Sequence, residues 1–110
     1  MGEERAELLR GTLDLLVLKA ISLEPLHGVA ISRRITQITK GAFHVSFGSL
    51  FPSLHRMKEK GWVEAEWRSS DNNRRAKYYR LTSAGWTRLR AEQRQWNRVV
   101  KIMTAAVQST

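Results

Sequence analysis

Three cations crowd into the five residues Asn73-Arg-Arg-Ala-Lys77. Fixed positive charge at that density attracts polyanions such as nucleic acid. By itself a charged tip of this kind is also an ordinary solvated turn. Earlier in the chain, Leu50, Leu54 and Met57 recur at helical spacing and mark an inner face. The opposite arc then carries Pro52, His55, Arg56 and Glu59, flanked by Ser49 and Ser53. Ser49, Ser53 and Arg56 are the best hydrogen-bond donors there. The two hydroxyls suit positioning on phosphates, and Arg56 suits reading base edges. Glu59, late on the helix, is expected to point away from any such anion.

The remaining residue types argue against catalysis. There is no cysteine, hence no disulfide, thiolate metal site or sulfur nucleophile. His27, His44 and His55 share no metal-ligand spacing. The seven glycines form no phosphate loop, and no nucleophile motif or carboxylate pair stands out. No catalytic residue, metal or cofactor is expected.

The chain has 110 residues and a formal net charge of +9. That length allows one domain with a modest core, to which a dimer interface would add useful burial. From Arg68 to Lys101 there are ten Lys or Arg against only Asp71 and Glu92. The most apolar run, Leu13 to Leu23, contains Asp14 and Lys19 and falls short of the roughly 20 residues a bilayer requires. Met1-Gly-Glu-Glu-Arg carries no apolar signal core. A cytoplasmic protein with no membrane partner is expected.

Periodicity supplies the elements that must hold these cations. Thr12 caps a first helix, with Asp14 in its first turn and a short helix around Ala6–Arg10 before it. Leu13, Leu16, Val17, Ala20 and Ile21 form its inner face, and Leu15 and Leu18 form a second apolar side suited to a partner subunit. A second helix runs from about His27 to Ile38 with Ile31, Ile35 and Ile38 inward and Arg33 and Arg34 elsewhere. A third spans Ser49 to Lys60, with Pro52 near its start and Gly61 as its C-terminal stop. The period then changes to two in Trp62–Arg68 and Lys77–Leu81, which predicts a hairpin with a long basic tip. Trp62, Trp67 and Trp86 flank it and are expected in the core. Thr82 caps a last helix, Ser83 to about Val107, in which Leu89, Trp96 and Met103 recur every seven residues, joined by Val100 and Val107. Its cations Arg88, Arg90, Arg94, Arg98 and Lys101 form a basic face.

The expected fold is mainly α with a small β-hairpin. Three helices followed by a basic-tipped hairpin is the order of a winged helix-turn-helix. Residues 1–82 would form it, and residues 83–110 a C-terminal dimerisation helix. In that geometry the third helix offers its N-terminal residues to the major groove and the hairpin tip reaches phosphates. The DNA-binding candidates are Arg33, Arg34, Ser49, Phe51, Pro52, Ser53, Arg56, Asn73, Arg74, Arg75 and Lys77. Leu15, Leu18, Leu89, Trp96, Val100, Met103 and Val107 are the dimer candidates.

The sequence resembles the PadR family of transcriptional regulators, in its short form with a single C-terminal helix. The resemblance lies in Leu9-Arg-Gly-Thr-Leu-Asp-Leu-Leu-Val-Leu, Leu26-His-Gly-Val-Ala-Ile, Gly48-Ser-Leu-Phe-Pro-Ser-Leu-His-Arg-Met, Glu59-Lys-Gly-Trp-Val and Arg75-Ala-Lys-Tyr-Tyr-Arg-Leu-Thr-Ser-Ala-Gly. It implies a homodimeric repressor on a palindromic duplex operator, often released by a small ligand. It also places the recognition motif on Gly48 to Leu54 and the wing lysine on Lys77. Trp96 either fills the dimer seam or stacks on a planar aromatic ligand. Two residues depart from the pattern: Phe51 and Val29 stand where the family usually has tyrosine. Either positioning leans on Arg33, Arg34 and the wing, or affinity is lower, or Phe51 only packs. The other readings are a winged-helix protein- or RNA-interaction module, and a non-specific architectural DNA binder.

Overall fold

The computed structural model describes residues 2–69 and 72–110, with side chains from residue 11 onward. Ser70 and Asp71 of the expected turn lie outside the described residues. The elements run α1 (Gly2–Ala20), β1 (Leu26–His27), α2 (Gly28–Ile38), α3 (Phe47–Glu59), β2 (Val63–Ser69), β3 (Arg75–Leu81) and α4 (Ser83–Gln108). This is a winged helix-turn-helix with one long C-terminal helix.

The core fills where the inner faces of the helices meet the sheet. Val17, Leu18 and Ile21 of α1, Ile31 and Ile35 of α2, and Leu50, Leu54 and Met57 of α3 close around Val63, Tyr79 and Leu89. Burial holds the Tyr79 phenol above its ordinary pKa. Several expectations change here. Helix α1 runs unbroken through Thr12, so that residue caps nothing and no separate helix precedes it. Leu18 is fully buried within its own chain, because α2, α3 and α4 all pack on α1 and cover both of its apolar sides. Leu89 is buried too, since the first turns of α4 still lie on α1 and the sheet. Neither residue is available to a partner. Ile38, by contrast, ends α2 exposed.

Local chemistry fixes the ends of each element. The His27 ring accepts the Ala30 N–H at 3.3 Å and caps α2. Ser46 caps α3 by accepting the Ser49 N–H at 3.2 Å. Helix α3 therefore starts two residues earlier than its periodicity suggested. Pro52 sits past the first turn, and its missing N–H leaves the Gly48 carbonyl without its helical donor. At the other end Gly61 has φ +77°. The Gly61 N–H donates to Lys58 O at 3.0 Å and the Trp62 N–H to Met57 O at 2.9 Å, a left-handed stop that turns the chain into β2.

The sheet has three strands in the order β1-β3-β2, not two. Strand β1 is only Leu26 and His27, opposite Tyr79 and Tyr78, too short for alternation to reveal. In the hairpin Val63 faces Leu81, Ala65 faces Tyr79 and Trp67 faces Lys77. Side chains directly opposite share a face, so Trp67 and Lys77 continue the side that Val63 and Tyr79 bury. The helices end before they reach Trp67, which is 60% exposed. Trp86 is exposed as well. Trp62 is half-buried, with Lys60 Nζ 4.9 Å and the Arg88 guanidinium 4.6 Å from its ring centre.

Helix α4 is seated by its first turn. Thr82 Oγ1 accepts the Gly85 N–H at 3.0 Å and donates to Gly61 O at 2.6 Å, while the Thr82 N–H donates to Trp62 O at 3.1 Å. A Cβ on Gly85 would lie 2.0 Å from the Trp62 carbonyl oxygen. Alanine in an open helical site would stabilise by roughly 1 kcal/mol. Gly85→Ala should instead destabilise by about 3 kcal/mol, because backbone must move. A urea midpoint lowered at unchanged m-value checks this.

Candidate nucleic-acid interface

Helix α3 is held against α1 by one carboxylate. Asp14 Oδ1 accepts Ser53 Oγ at 2.8 Å and Arg56 Nη2 at 2.8 Å. Ser53 is completely buried. Of the three donors expected to meet an anion, Ser53 thus serves inside the fold, and Arg56 gives one nitrogen to Asp14 with its side chain 39% exposed. Ser53 is removed from the surface, and Arg56 reaches back to α1. Asp14 does not decorate a helix end, since α1 extends well upstream of it. Helical spacing could not show this, because an inward polar residue and an outward one on the flank of α3 differ only in what α1 presents to them.

The outer arc of α3 is left with Gly48, Ser49, Pro52, His55 and Glu59, all exposed. Ser49 Oγ accepts from Ser46 Oγ at 3.2 Å. Phe51 is half-exposed and tilts against Phe47 with ring centres 5.8 Å apart. Its ring rests on the start of α2. A Cβ at Gly28 would come 2.6 Å from Phe51 Cζ, the atom on which a tyrosine carries its hydroxyl. Gly28 therefore clears the space that this ring fills. Val29 is exposed nearby, so the arc is more apolar than a tyrosine pair would make it. On α2, Arg34 pairs with Glu24 at 2.8 Å, and Arg33 is exposed.

The wing adds charge beside α3. Lys77 lies within hydrogen-bonding reach of Lys58, and the contact and repulsion of that second ammonium, with a little burial, hold Lys77 below its ordinary pKa. Arg75, opposite Ser69, shares this face, and its guanidinium lies 5.8 Å from the Trp67 ring centre. Asn73 takes φ +60° at the tip, a conformation asparagine tolerates. Arg74 is exposed. The opposite face of the sheet is partnered internally: Arg80 with Glu64 at 2.6 Å, and Arg68 4.1 Å over the Tyr78 ring, which meets His27 edge-on. Lys58 was missed by sequence reasoning because only packing brings it beside the wing.

Beyond Leu89, α4 leaves its own core. Trp96, Val100, Met103 and Val107 are exposed, and so are Val99 and Ile102. The apolar surface is wider than the heptad stripe alone. Leu15, Leu16, Lys19, Ile38, Gln93, Trp96 and Asn97 line a groove of about 320 Å³ between α1, α2 and α4. Among the described residues no three His, Asp or Glu side chains gather to hold a metal, and no helix is long and apolar enough to cross a membrane.

An exposed third helix beside a cationic wing defines a DNA-binding winged helix. Residues 17–91 match the Transcriptional regulator PadR-like family. The chain belongs to this family of transcription regulators. A PadR-like transcriptional regulator of Bacillus cereus is 27% identical, superposes with a TM-score of 0.81, and is matched over 94% of this chain and 99% of its own. A PadR family regulator of Eggerthella lenta is also 27% identical, with a TM-score of 0.79 over 99% of this chain and 93% of its own. A transcriptional regulator of Clostridium thermocellum shares the fold at 20% identity and a TM-score of 0.83, over 93% and 99% of the two chains. An uncharacterised protein of Lysinibacillus sphaericus is 29% identical over 99 residues, 90% of this chain and 91% of its own.

The lysine contact gives a measurable outcome in the protein alone. Replacing Lys58 with methionine should return Lys77 toward its ordinary value of 10.5. A side-chain NMR titration of Lys77 before and after the change reads the upward movement.

Proposed function

We propose that the protein is a sequence-specific transcriptional repressor that works in the cytoplasm as a homodimer on a palindromic operator. The observation that carries this reading is the exposed outer arc of α3 beside a wing that carries Arg74, Arg75 and Lys77, where Lys58 is near enough to Lys77 to lower its pKa. A phosphate between them would relieve their repulsion and set α3 at the depth of the major groove. Arg74, Arg75 and Asn73 extend the phosphate contact along the wing, and Arg33 does so from α2. Ser49, Phe51 and Pro52 meet the groove wall.

Residues 1–82 form the DNA-binding part in this reading, and residues 83–110 the pairing part. Trp96, Val100, Met103 and Val107, exposed in one protomer, meet their copies across a two-fold axis, and Leu15 borders the seam through the Trp96 groove. Paired protomers would place their third helices about one turn of DNA apart, on the order of 34 Å. The groove at Trp96 takes a planar aromatic ligand. Such a ligand releases DNA when it favours a dimer whose third helices no longer match that spacing.

Fluorescence anisotropy at two salt concentrations tests the DNA reading, using the gene's upstream duplex against a scrambled one. A preference of about 10³-fold for the upstream duplex is expected of a specific binder. Joint Arg74→Ala and Arg75→Ala replacement should weaken binding to both duplexes and flatten the salt dependence. Equal binding that collapses with salt would favour an architectural binder, and no binding an interaction module. Light scattering at micromolar concentration should give twice the protomer mass for the parent and the protomer mass for Trp96→Glu.

A further inference from the structure

Phe47, Phe51 and Val29 are 49%, 45% and 44% exposed, near the place where α3 begins beside α2. Neither ring enters the core, whose α3 members are Leu50, Leu54 and Met57. The two rings stand one turn apart with centres 5.8 Å from each other. Phe51 also rests on Gly28, where a Cβ would come 2.6 Å from its Cζ. A ring seated on backbone and on a second ring has little freedom left to lose on binding. The setting of this apolar patch is cationic. Helix α2 carries no acidic residue, α3 carries only Glu59 at its far end, and the exposed Arg33 lies one turn beyond Val29 on α2. Apolar surface in such a field suits a polyanion that displays apolar groups of its own.

We propose that Phe47 and Phe51 read the C5-methyl group of a thymine in each half-site. This rests on the sequence-specific reading above and names the base-edge chemistry it uses. In a helix-turn-helix the N-terminal residues of the recognition helix meet base edges in the major groove, and Phe47 is the first residue of α3. Phenyl carbons have no donor or acceptor with which to tell one polar edge from another. Thymine alone among the four bases presents an apolar group in the major groove; adenine, guanine and cytosine show amines, a carbonyl and ring nitrogens there. Contact between ring and methyl removes both from water. It uses no polar atom, so donors elsewhere on α3, Ser49 and Arg56 among them, can engage the same duplex without competing.

The experiment first selects duplexes from a random pool with the parent, and the enriched motif should hold thymine at a symmetric position. Replacing that thymine with deoxyuridine removes the methyl and keeps every hydrogen-bonding group. Burial of one such group is worth about fourfold in affinity, hence about 15-fold when both half-sites lose it. 5-Methylcytosine at that position should in turn bind better than cytosine. Phe47→Ala should lose most of the deoxyuridine penalty, Phe47→Leu, which keeps an apolar tip, should retain part of it, and joint Phe47→Ala and Phe51→Ala replacement should lose all of it. Unchanged low-salt binding to a scrambled duplex reports an intact fold; if the double variant fails that check, Phe47→Ala alone carries the test. An enriched motif whose thymines all accept deoxyuridine without cost, or a penalty that the phenylalanine replacements leave intact, would overturn the role of the rings and leave sequence specificity standing, with the patch then a surface for a protein partner. No enriched motif with the parent would overturn both.

Discussion

The carbonyls of Gly61 and Trp62 bring four elements to one point. Helix α3 ends there and β2 begins, and the returning end of β3 and the start of α4 are fastened to the same two oxygens through Thr82. Gly85 allows the approach, since any side chain would strike the Trp62 carbonyl. Lys60, just past the end of α3, and Arg88 of α4 then close over the Trp62 ring. The angles among α3, the wing and α4 are all set at this junction.

A second fixed point lies part-way along α3. Asp14 receives both Ser53 and Arg56, so α3 is keyed in rotation against α1 by charge-assisted hydrogen bonds as well as by apolar packing. Removing one partner would leave the others short of bonds in a partly buried place, which is why such a contact defines geometry more than it adds stability. The outward arc of α3 is what remains once this key is engaged.

Charge follows the same logic. From residue 11 onward each acidic side chain that the structure describes has a nearby partner, an arginine for Asp14, Glu24, Glu64, Glu66 and Glu92 and His55 for Glu59. Exposed pairs of this kind add little stability. Their larger effect is to neutralise the back of the sheet and the flanks of the helices. The cations outside these pairs include Lys58, Arg75 and Lys77, where α3 and the wing meet, and Arg90, Arg94, Arg98 and Lys101 along α4.

Much of this was legible in the residues. Period-3.6 and period-2 patterns determined α2, α3, the two long strands and α4, because side-chain periodicity is a local consequence of backbone geometry. The wing cations were equally plain, since a five-residue cluster needs no partner to be recognised. What escaped was whatever depended on a second element. Leu18 and Leu89 looked free for a partner subunit but are covered by their own chain, and Trp67 looked like core but outruns the helices that would cover it. Ser53 and Arg56 looked outward until α1 offered Asp14, and Lys58 gained meaning only beside Lys77. The sequence by itself determined which segments are helix or strand and that the protein is a cationic winged helix. Tertiary structure alone decided which polar groups are spent inside and which face out, because that depends on neighbours distant in the chain.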